Sequence, residues 1–513
     1  MKNSTTKPTT AAVGITIQVT LPALLRVDAK ENGSTIRQIA VPPWRGKAAV
    51  EEFTEGRMRG YTITPSDGSA TVLLLTNSAQ PTPEHTHVLR MRDAQISSSG
   101  ASVLDLADAK WIKHPESLPP LTVLADYEAQ TSAALASWAD AFRYKRENTA
   151  LKIDGLRPPQ IGAIYAVQAH WTINVDPATV VLPTGVGKTE TMLSVLVAER
   201  CQRLLVVVPT DALRTQISEK FLLLGLLKTP AFHVVLEQAR YPIVGVLNRR
   251  PADAGQVDSF FRKCNVIVTT MPLASQCAPE VMQRMAELCP FLFIDEAHHV
   301  AAPTWKAFKD AFAKNRIIQF TATPFRNDDE PIGGKRIFTF SLRHAQEQGY
   351  FKQIHFRPVT EFDPAQKDMA IAEAAVEQLR ADAALGHILM ARVANIKRAA
   401  EVFHCYEKYT EFKPVQIHTG ITSKPQREET RRKLLSGESR IVVCVDMLGE
   451  GFDLPELKIA AFHDIRKTLA VTLQLVGRFT RTKPHLGNAT LIANIADLEV
   501  KDELKRLYQH DSD

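Results

Sequence analysis

The stretch Val180-Val181-Leu182-Pro183-Thr184-Gly185-Val186-Gly187-Lys188-Thr189 decides how the rest of the 513-residue chain is read. It begins as a β-branched apolar run, breaks at Pro183, turns through two glycines and enters the helix-forming Glu190-Thr191-Met192-Leu193-Ser194-Val195-Leu196. A phosphate-binding loop needs that order: a buried strand, a turn of small residues whose backbone N–H groups surround an anion, and a helix whose positive end points at it. Thr184, Gly185, Val186 and Gly187 would form the cradle, Lys188 would carry the mobile charge for the outer phosphates, and the Thr189 hydroxyl would help hold Mg²⁺. The general pattern wants glycine where Leu182 stands. Alone, the loop therefore also fits a glycine-rich turn with an exposed lysine, and its surroundings must decide.

Downstream, the apolar runs Leu204–Val208, 266–268, Phe291–Ile294 and 317–320 each end in a polar cluster. Unbroken rather than alternating apolarity marks strands buried on both faces, as in a parallel sheet flanked by helices. Ligands of such sheets sit at the carboxyl ends of the strands. Asp295-Glu296 follows directly on Phe291–Ile294. A hard carboxylate there suits Mg²⁺ on the phosphates, the expected role of Asp295, and its neighbour Glu296 can orient or deprotonate an attacking water. A second series of runs, 388–391, 414–417, 441–445, 459–462 and 489–493, contains no phosphate loop. Two such lobes with one loop imply a nucleotide clamped between them.

With 513 residues the chain exceeds one compact core, and about one domain per 100 to 200 residues suggests three. Hydrophobic content of 45% and charged content of 23% exclude disorder. A formal charge of +6 is mildly basic and compatible with a polyanionic partner. Six cysteines without a CxxC pair read as buried free thiols. No apolar stretch approaches the roughly 18 residues of a membrane span, so no membrane association is expected and the cytoplasm is the expected compartment. Residues 1–148 read as β-rich, with alternating segments at 14–21, 60–64 and 70–75 between turn clusters. A helical pattern over 125–146, with Leu135, Trp138 and Phe142 on one face, leads into the central lobe. Asp93, Asp105, Asp108 and Lys110 can be forced onto a nuclease spacing, but a solvated turn explains them better. His85 and His87 have no second ligand pair at metal spacing, and an exposed strand is their better account.

Taken together, the motifs resemble a superfamily 2 helicase or translocase of the DEAH-like type. Leu156-Arg157-Pro158-Pro159-Gln160 resembles the adenine-sensing segment, with Gln160 as base reader and Arg157 beside it. The segments at Thr210 to Arg214 and at Thr269-Thr270 resemble those that touch a nucleic-acid backbone, as does His418-Thr419-Gly420 in the second lobe. Asp295-Glu296-Ala297-His298 resembles the DEAH box, and Thr321-Ala322-Thr323 the segment that couples nucleotide state to strand binding, with His298 beside it. Gly449-Glu450-Gly451-Phe452-Asp453 resembles the motif touching both nucleotide and nucleic acid. The run from Gln474 to Arg481 resembles the arginine-finger motif, with Gln474, Arg478 and Arg481 as its working residues.

The resemblance implies an α/β fold of two tandem RecA-like parallel-sheet lobes preceded by a small β-rich accessory domain. The expected boundaries are 1–148 for the accessory domain, 149–345 for the lobe with the phosphate loop and 346–513 for the lobe with the arginine fingers. It implies ATP and Mg²⁺ as cofactors, with Lys188, Glu296, Arg478, Arg481 and Gln474 catalytic. Details of 321–328 and 449–455 are most similar to restriction-enzyme motor subunits and related duplex-DNA translocases. The run 463–474 resembles helicase subunits of bacterial phage-defence systems such as Hachiman. That branch implies DNA rather than RNA as the partner, with cleavage left to a separate nuclease or other effector subunit. Two further readings stay open: a nucleic-acid sensor ATPase that signals without unwinding, and an RNA-directed remodeller. Members of that group commonly run well past the arginine motif, whereas this chain stops soon after a helix expected over 501–508, which fits a fragment or a chain without a partner-docking region.

Overall fold

The computed structural model describes residues 15–92, 103–297, 303–322, 333–350, 354–418, 420–421, 423–445, 454–464 and 487–496. Three sheets organise them. The largest has nine strands in the order Lys335–Thr339, Ala178–Val181, Arg316–Thr321, Phe291–Ile294, Leu204–Val208, Val266–Thr270, Val244–Val246, Ser34–Val41 and Leu24–Glu31. The first seven run parallel, as their unbroken apolar character requires, and the last two are an antiparallel hairpin. Side chains alternate between two cores. Leu204, Val206 and Val208 enter the cluster shared with helix Pro158–Ile173, while Leu205 and Val207 enter the opposite one with helix Pro279–Leu288. Burying each such side chain contributes about 1.5–3 kcal/mol.

The second lobe is a six-stranded parallel sheet in the order Ile354–Val359, Ala489–Asn494, Leu457–Phe462, Ile388–Arg392, Ile441–Cys444 and Val415–Ile417. The same alternation holds: Ile441 and Val443 face one core, Val442 and Cys444 the other. Strands Ile354–Val359 and Val244–Val246 were not singled out from sequence. The former carries His355, Arg357 and Pro358, and the latter has only three residues.

The third sheet has seven strands drawn from residues 15–113, in keeping with the β-rich reading. It is not separate from the first lobe. Strand Ile15–Leu21 pairs antiparallel with Trp44–Glu55 in this sheet, and the next strands, Leu24–Glu31 and Ser34–Val41, pair with each other in the nine-stranded one. The pairing continues through both, with Leu21 facing Trp44, Leu24 facing Val41 and Glu31 facing Ser34, and shifts only locally around Leu25, which faces Ile39. One long ribbon thus serves two sheets. Its break falls at Pro22 and at Pro42-Pro43, where missing N–H groups interrupt the ladder. The Trp111 indole N–H donates to the Pro22 carbonyl at 3.0 Å, tying the accessory sheet to that joint. The ribbon's far half therefore crosses the boundary expected at 148 and belongs to the sheet of the phosphate loop.

Two local expectations need correction. The helix expected over 125–146 ends at Ser137. Trp138 is buried with its indole N–H on the Arg240 carbonyl at 2.9 Å, Asp140 takes a positive φ of 54°, and Phe142 forms a bridge to Val235. The apolar face of Leu135, Trp138 and Phe142 is real, but tertiary contacts unwind its second half. His85 lies in the turn before strand Val88–Arg90 rather than in a strand, 3.4 Å from a Glu55 carboxylate oxygen. All six cysteines are free, five of them buried, and burial pushes the Cys277 thiol up to about 11 and that of Cys289 to about 12. Among the described residues no helix is long and apolar enough to cross a membrane.

Candidate nucleotide site and nucleic-acid rim

Because seven strands of the large sheet are parallel, their carboxyl ends form one rim. Along it stand, in spatial order, the phosphate loop after Ala178–Val181, Thr321, Asp295-Glu296, Thr210 and Thr270. The loop is held from both sides. The Leu182 N–H donates to the Thr321 carbonyl at 2.9 Å. Arg157 donates to the Gly185 carbonyl at 2.7 Å, and Gln160 Nε2 donates to that of Gly187 at 3.2 Å. Gly187, at φ +106° as the cap of helix Lys188–Ala198, must be glycine: a Cβ would lie 2.0 Å from Gln160 Nε2. Val186 is buried and Thr189 is half-buried in the first helical turn.

Lys188 is buried and donates to Glu296 Oε1, with Asp295 Oδ1 3.9 Å away. Two strand spacings separate the two loops, about 10 Å, a gap that the lysine and glutamate side chains together bridge. Glu296 has a left-handed backbone, φ +49°, which costs about 1 kcal/mol outside glycine. Its N–H is tied to Asp295 Oδ1 at 2.9 Å, and the Asp295 N–H to the Val207 carbonyl at 2.9 Å. The Thr184 hydroxyl is buried and has no hydrogen-bond partner. A polar group left unpaired in that place costs roughly 1–3 kcal/mol, a penalty that a phosphate oxygen accepting its hydrogen bond would remove. Cradle, lysine, paired carboxylates and orphan hydroxyl together fit a magnesium-bound nucleoside triphosphate.

Gln160 does not point an idle amide outward. Its Oε1 accepts from the Arg157 N–H at 2.7 Å while its Nε2 serves Gly187, so base reading would require exchange of one of these bonds. Tyr350 was not singled out from sequence. It places its ring 5.1 Å from the Arg157 guanidinium, and burial followed by its hydrogen bond to Glu147 pushes the phenol up. Its only sequence signal is an aromatic just beyond the last strand of the lobe.

Farther along the rim, the Thr210 hydroxyl caps helix Asp211–Leu223, accepting from the Leu213 N–H at 3.4 Å. Arg214 pairs with Asp211 at 3.0 Å while its buried Nε lacks a partner. Thr269 and Thr270 are both buried, and the Thr269 hydroxyl is likewise unpaired. In the second lobe His418 ends strand Val415–Ile417 with Nδ1 buried and unpaired. Arg392, at the end of strand Ile388–Arg392, is buried, 6.0 Å from the Phe462 ring. His298, Thr323, Thr419, Gly449, Gly451, Asp453, Gln474, Arg478 and Arg481 lie outside the described residues.

The approach to the arginine motif is nonetheless described. At the end of Leu457–Phe462, buried His463 has Nδ1 3.0 Å from Asp368 Oδ1 and Nε2 2.9 Å from the Tyr406 hydroxyl. An ionised Asp368 only accepts, so Nδ1–H donates and Nε2 accepts from the phenol. Burial holds His463 below the ordinary imidazole range despite the opposing pull of Asp368. Burial alone would raise the Asp368 carboxyl, but hydrogen bonds from His463 and Arg398 outweigh it and hold it low. Arg398 also reaches Asp464 at 3.1 Å, ten positions before Gln474.

A phosphate loop facing a carboxylate pair, on a parallel sheet followed by a second parallel-sheet lobe, defines the class of two-lobed motor ATPases. Comparison with known proteins narrows the class. Residues 154–326 match the family model of the type III restriction enzyme res subunit, and residues 377–483 that of the helicase conserved C-terminal domain. The chain belongs to the superfamily 2 helicases, related to restriction-enzyme motor subunits, a class of nucleic-acid-dependent ATPases. It is 24% identical over 356 residues to the DNA 3'-5' translocase XPB2 of Sulfurisphaera tokodaii, covering 59% of this chain and 74% of that one. It is 27% identical over 119 residues to DEAD-box ATP-dependent RNA helicase 15 of Arabidopsis thaliana, covering 23% and 27%. Among solved structures, the Mycobacterium smegmatis helicase Lhr bound to ssDNA and AMP-PNP superposes with a TM-score of 0.50 at 18% identity. That match covers 75% of this chain and 51% of Lhr, and speaks to the fold.

Proposed function

We propose that this chain is an ATP-dependent DNA helicase or duplex-DNA translocase that hydrolyses ATP between its lobes to move along a nucleic-acid backbone. The observation that carries the reading is the buried contact of Lys188 with Glu296 beside the orphan Thr184 hydroxyl, on the rim that continues to Thr210 and Thr270. Incoming phosphates would draw Lys188 away from Glu296, leaving that carboxylate to orient the attacking water. Asp295 and Thr189 would hold Mg²⁺, whose part is to neutralise charge on the outer phosphates. Arg478 and Arg481 would meet the γ-phosphate on lobe closure, making hydrolysis conditional on it, with Gln474, Gly451 and Asp453 beside them. Thr210, Arg214, Thr269, Thr270, His418, Thr419 and Gly449 would grip phosphates without reading bases, and Thr321, Thr323 and His298 would couple the two events.

DNA is favoured over RNA because the restriction-subunit model and the XPB2 likeness cover far more of the chain than the DEAD-box RNA helicase likeness. A role in restriction, with a partner nuclease or other effector, fits the restriction-subunit model, and a role in phage defence or repair extends the resemblance carried by the motifs. The test is ATP hydrolysis measured with no nucleic acid, duplex DNA, single-stranded DNA and RNA. DNA should stimulate turnover most, and Lys188→Ala should abolish it; undiminished turnover in Lys188→Ala would overturn the assignment. Stronger stimulation by RNA would move the chain to the RNA-directed class. Hydrolysis on DNA without triplex displacement or unwinding would make it a sensor.

A further inference from the structure

The N-terminal ribbon carries its turn to the same rim as the phosphate loop. Thr35, beside the turn, pairs with Val246, the last residue of its parallel strand. Asn32 and Gly33 therefore lie at the carboxyl ends, and their positive φ values of 48° and 78° make the two-residue turn that Asn-Gly favours. The segment after Val246 holds this turn in place. The Asn248 N–H donates to Ser34 Oγ at 3.1 Å and its Nδ2 to the Gly33 carbonyl at 3.3 Å. Arg249 crosses the bare backbone of Gly33, where a Cβ would sit 2.9 Å from Arg249 Nε.

The charge left at this corner is positive. Its carboxylates are in ion pairs, Glu31 with Lys263, Asp211 with Arg214, and Asp28 and Glu219 both with Arg37 at 3.2 and 3.8 Å, so one negative charge is left against the exposed cations. Lys30, Arg249 and Arg250 are exposed, and among the described residues none has an acidic partner; Arg250 gives one N–H to the Gln276 carbonyl at 3.2 Å. Just inward, Arg214 has its unpaired buried Nε. Between helix Asp211–Leu223, which Thr210 caps, and the ribbon lies an open pocket of about 210 Å³, lined by Thr35, Arg37, Thr215, Glu219 and Asn248 together with apolar side chains of the helix and of strand Val244–Val246.

We propose that the ribbon turn and Arg249-Arg250 form an accessory site for nucleic-acid backbone phosphates, extending the first lobe's track beyond Thr270. The inference rests on the nucleic-acid reading above. Three strand spacings of about 4.8 Å separate the strand of Thr270 from the outermost ribbon strand. The added reach is about 14 Å, or about four nucleotides at roughly 3.4 Å each along a strand. Arginine forks there grip phosphate without base preference.

The test uses the full chain and labelled single-stranded and duplex DNA of graded length, with anisotropy read between about 50 and 200 mM salt. Arg249→Ala/Arg250→Ala should keep the wild-type melting temperature and bind about tenfold more weakly. Its salt slope should be shallower by about 1.8 on duplex or about 1.4 on single strands, and affinity should stop rising about four nucleotides earlier. Lys30→Glu, at an exposed strand end, should shift affinity the same way and serves if the double variant folds poorly. Wild-type affinity, slope and length dependence in both variants would overturn the accessory site. Wild-type protein that binds no nucleic acid would instead overturn the function on which it rests.

Discussion

Replacing Glu296 by glutamine should tighten nucleotide binding even as it stops hydrolysis. Without nucleotide, Lys188 is committed to Glu296, so phosphates must first break a buried ion pair. At contact distance and an effective dielectric near 20 the gross attraction is roughly 5 kcal/mol. Desolvation of the two charges cancels more than half of it, and Asp295, 3.9 Å from the ammonium, keeps some hold on Lys188 in the variant. About 1–2 kcal/mol remains, which is about 5- to 30-fold in Kd. The assay is titration of wild type and Glu296→Gln with a non-hydrolysed ATP analogue and Mg²⁺, followed by fluorescence or heat. Equal or weaker affinity in the variant would refute the argument, because it would mean that the lysine is not restrained by this carboxylate in solution.

Three further outcomes follow from the same geometry. Gly187→Ala forces a Cβ against Gln160 at a φ of +106°, so nucleotide binding should fall at least tenfold, read by the same titration. Tyr350→Ala removes the ring over Arg157, a contact worth about 0.5–2 kcal/mol; KM for ATP should rise about 2- to 30-fold while Tyr350→Phe stays near wild type. His463 is held low in the folded chain, so its stabilising share is complete above the unfolded imidazole value of about 6.5 and is lost as pH falls from there towards the folded value. The melting temperature should thus drop more steeply between about pH 7 and 5 in wild type than in His463→Gln, and identical slopes would count against the buried neutral imidazole.

Much of the motor was legible because its strands are buried on both faces. Val206 and Val207 serve opposite cores, so the run 204–208 had to be wholly apolar, and its polar terminus had to mark the rim. The Lys188 loop and the Asp295-Glu296 pair could be matched across about a hundred residues because each chemistry needs its residue types in a fixed order. Tertiary pairing was not legible in the same way. Asn32-Gly33 is a strong hairpin signal, but nothing local says that Ser34–Val41 will pair with Val244–Val246, two hundred residues on. Nor does a helical apolar pattern reveal that Trp138 will be drawn onto the Arg240 carbonyl and end the helix early. Tyr350 joins the site through the guanidinium of Arg157 and the carboxylate of Glu147, contacts with no sequence period.

The ribbon changes what the accessory sheet can be mechanically. A β-rich domain joined by a flexible linker would drift independently of the motor. Here both strands that leave the accessory sheet at Leu21 and Trp44 continue, past a local irregularity at Leu25, into the lobe that holds Lys188. Val27 and Ile36 lie in one core of that lobe and Ile39 in the other, so sliding the ribbon by one residue would turn apolar side chains out of both faces. The hairpin also covers the edge left by the three-residue strand Val244–Val246, whose bare N–H and C=O groups would otherwise invite pairing with another chain. Cutting the chain near residue 149 would expose that edge and empty part of both cores. Residues 24–41 therefore act as structural members of the motor lobe, and the accessory sheet rides on their stiffness.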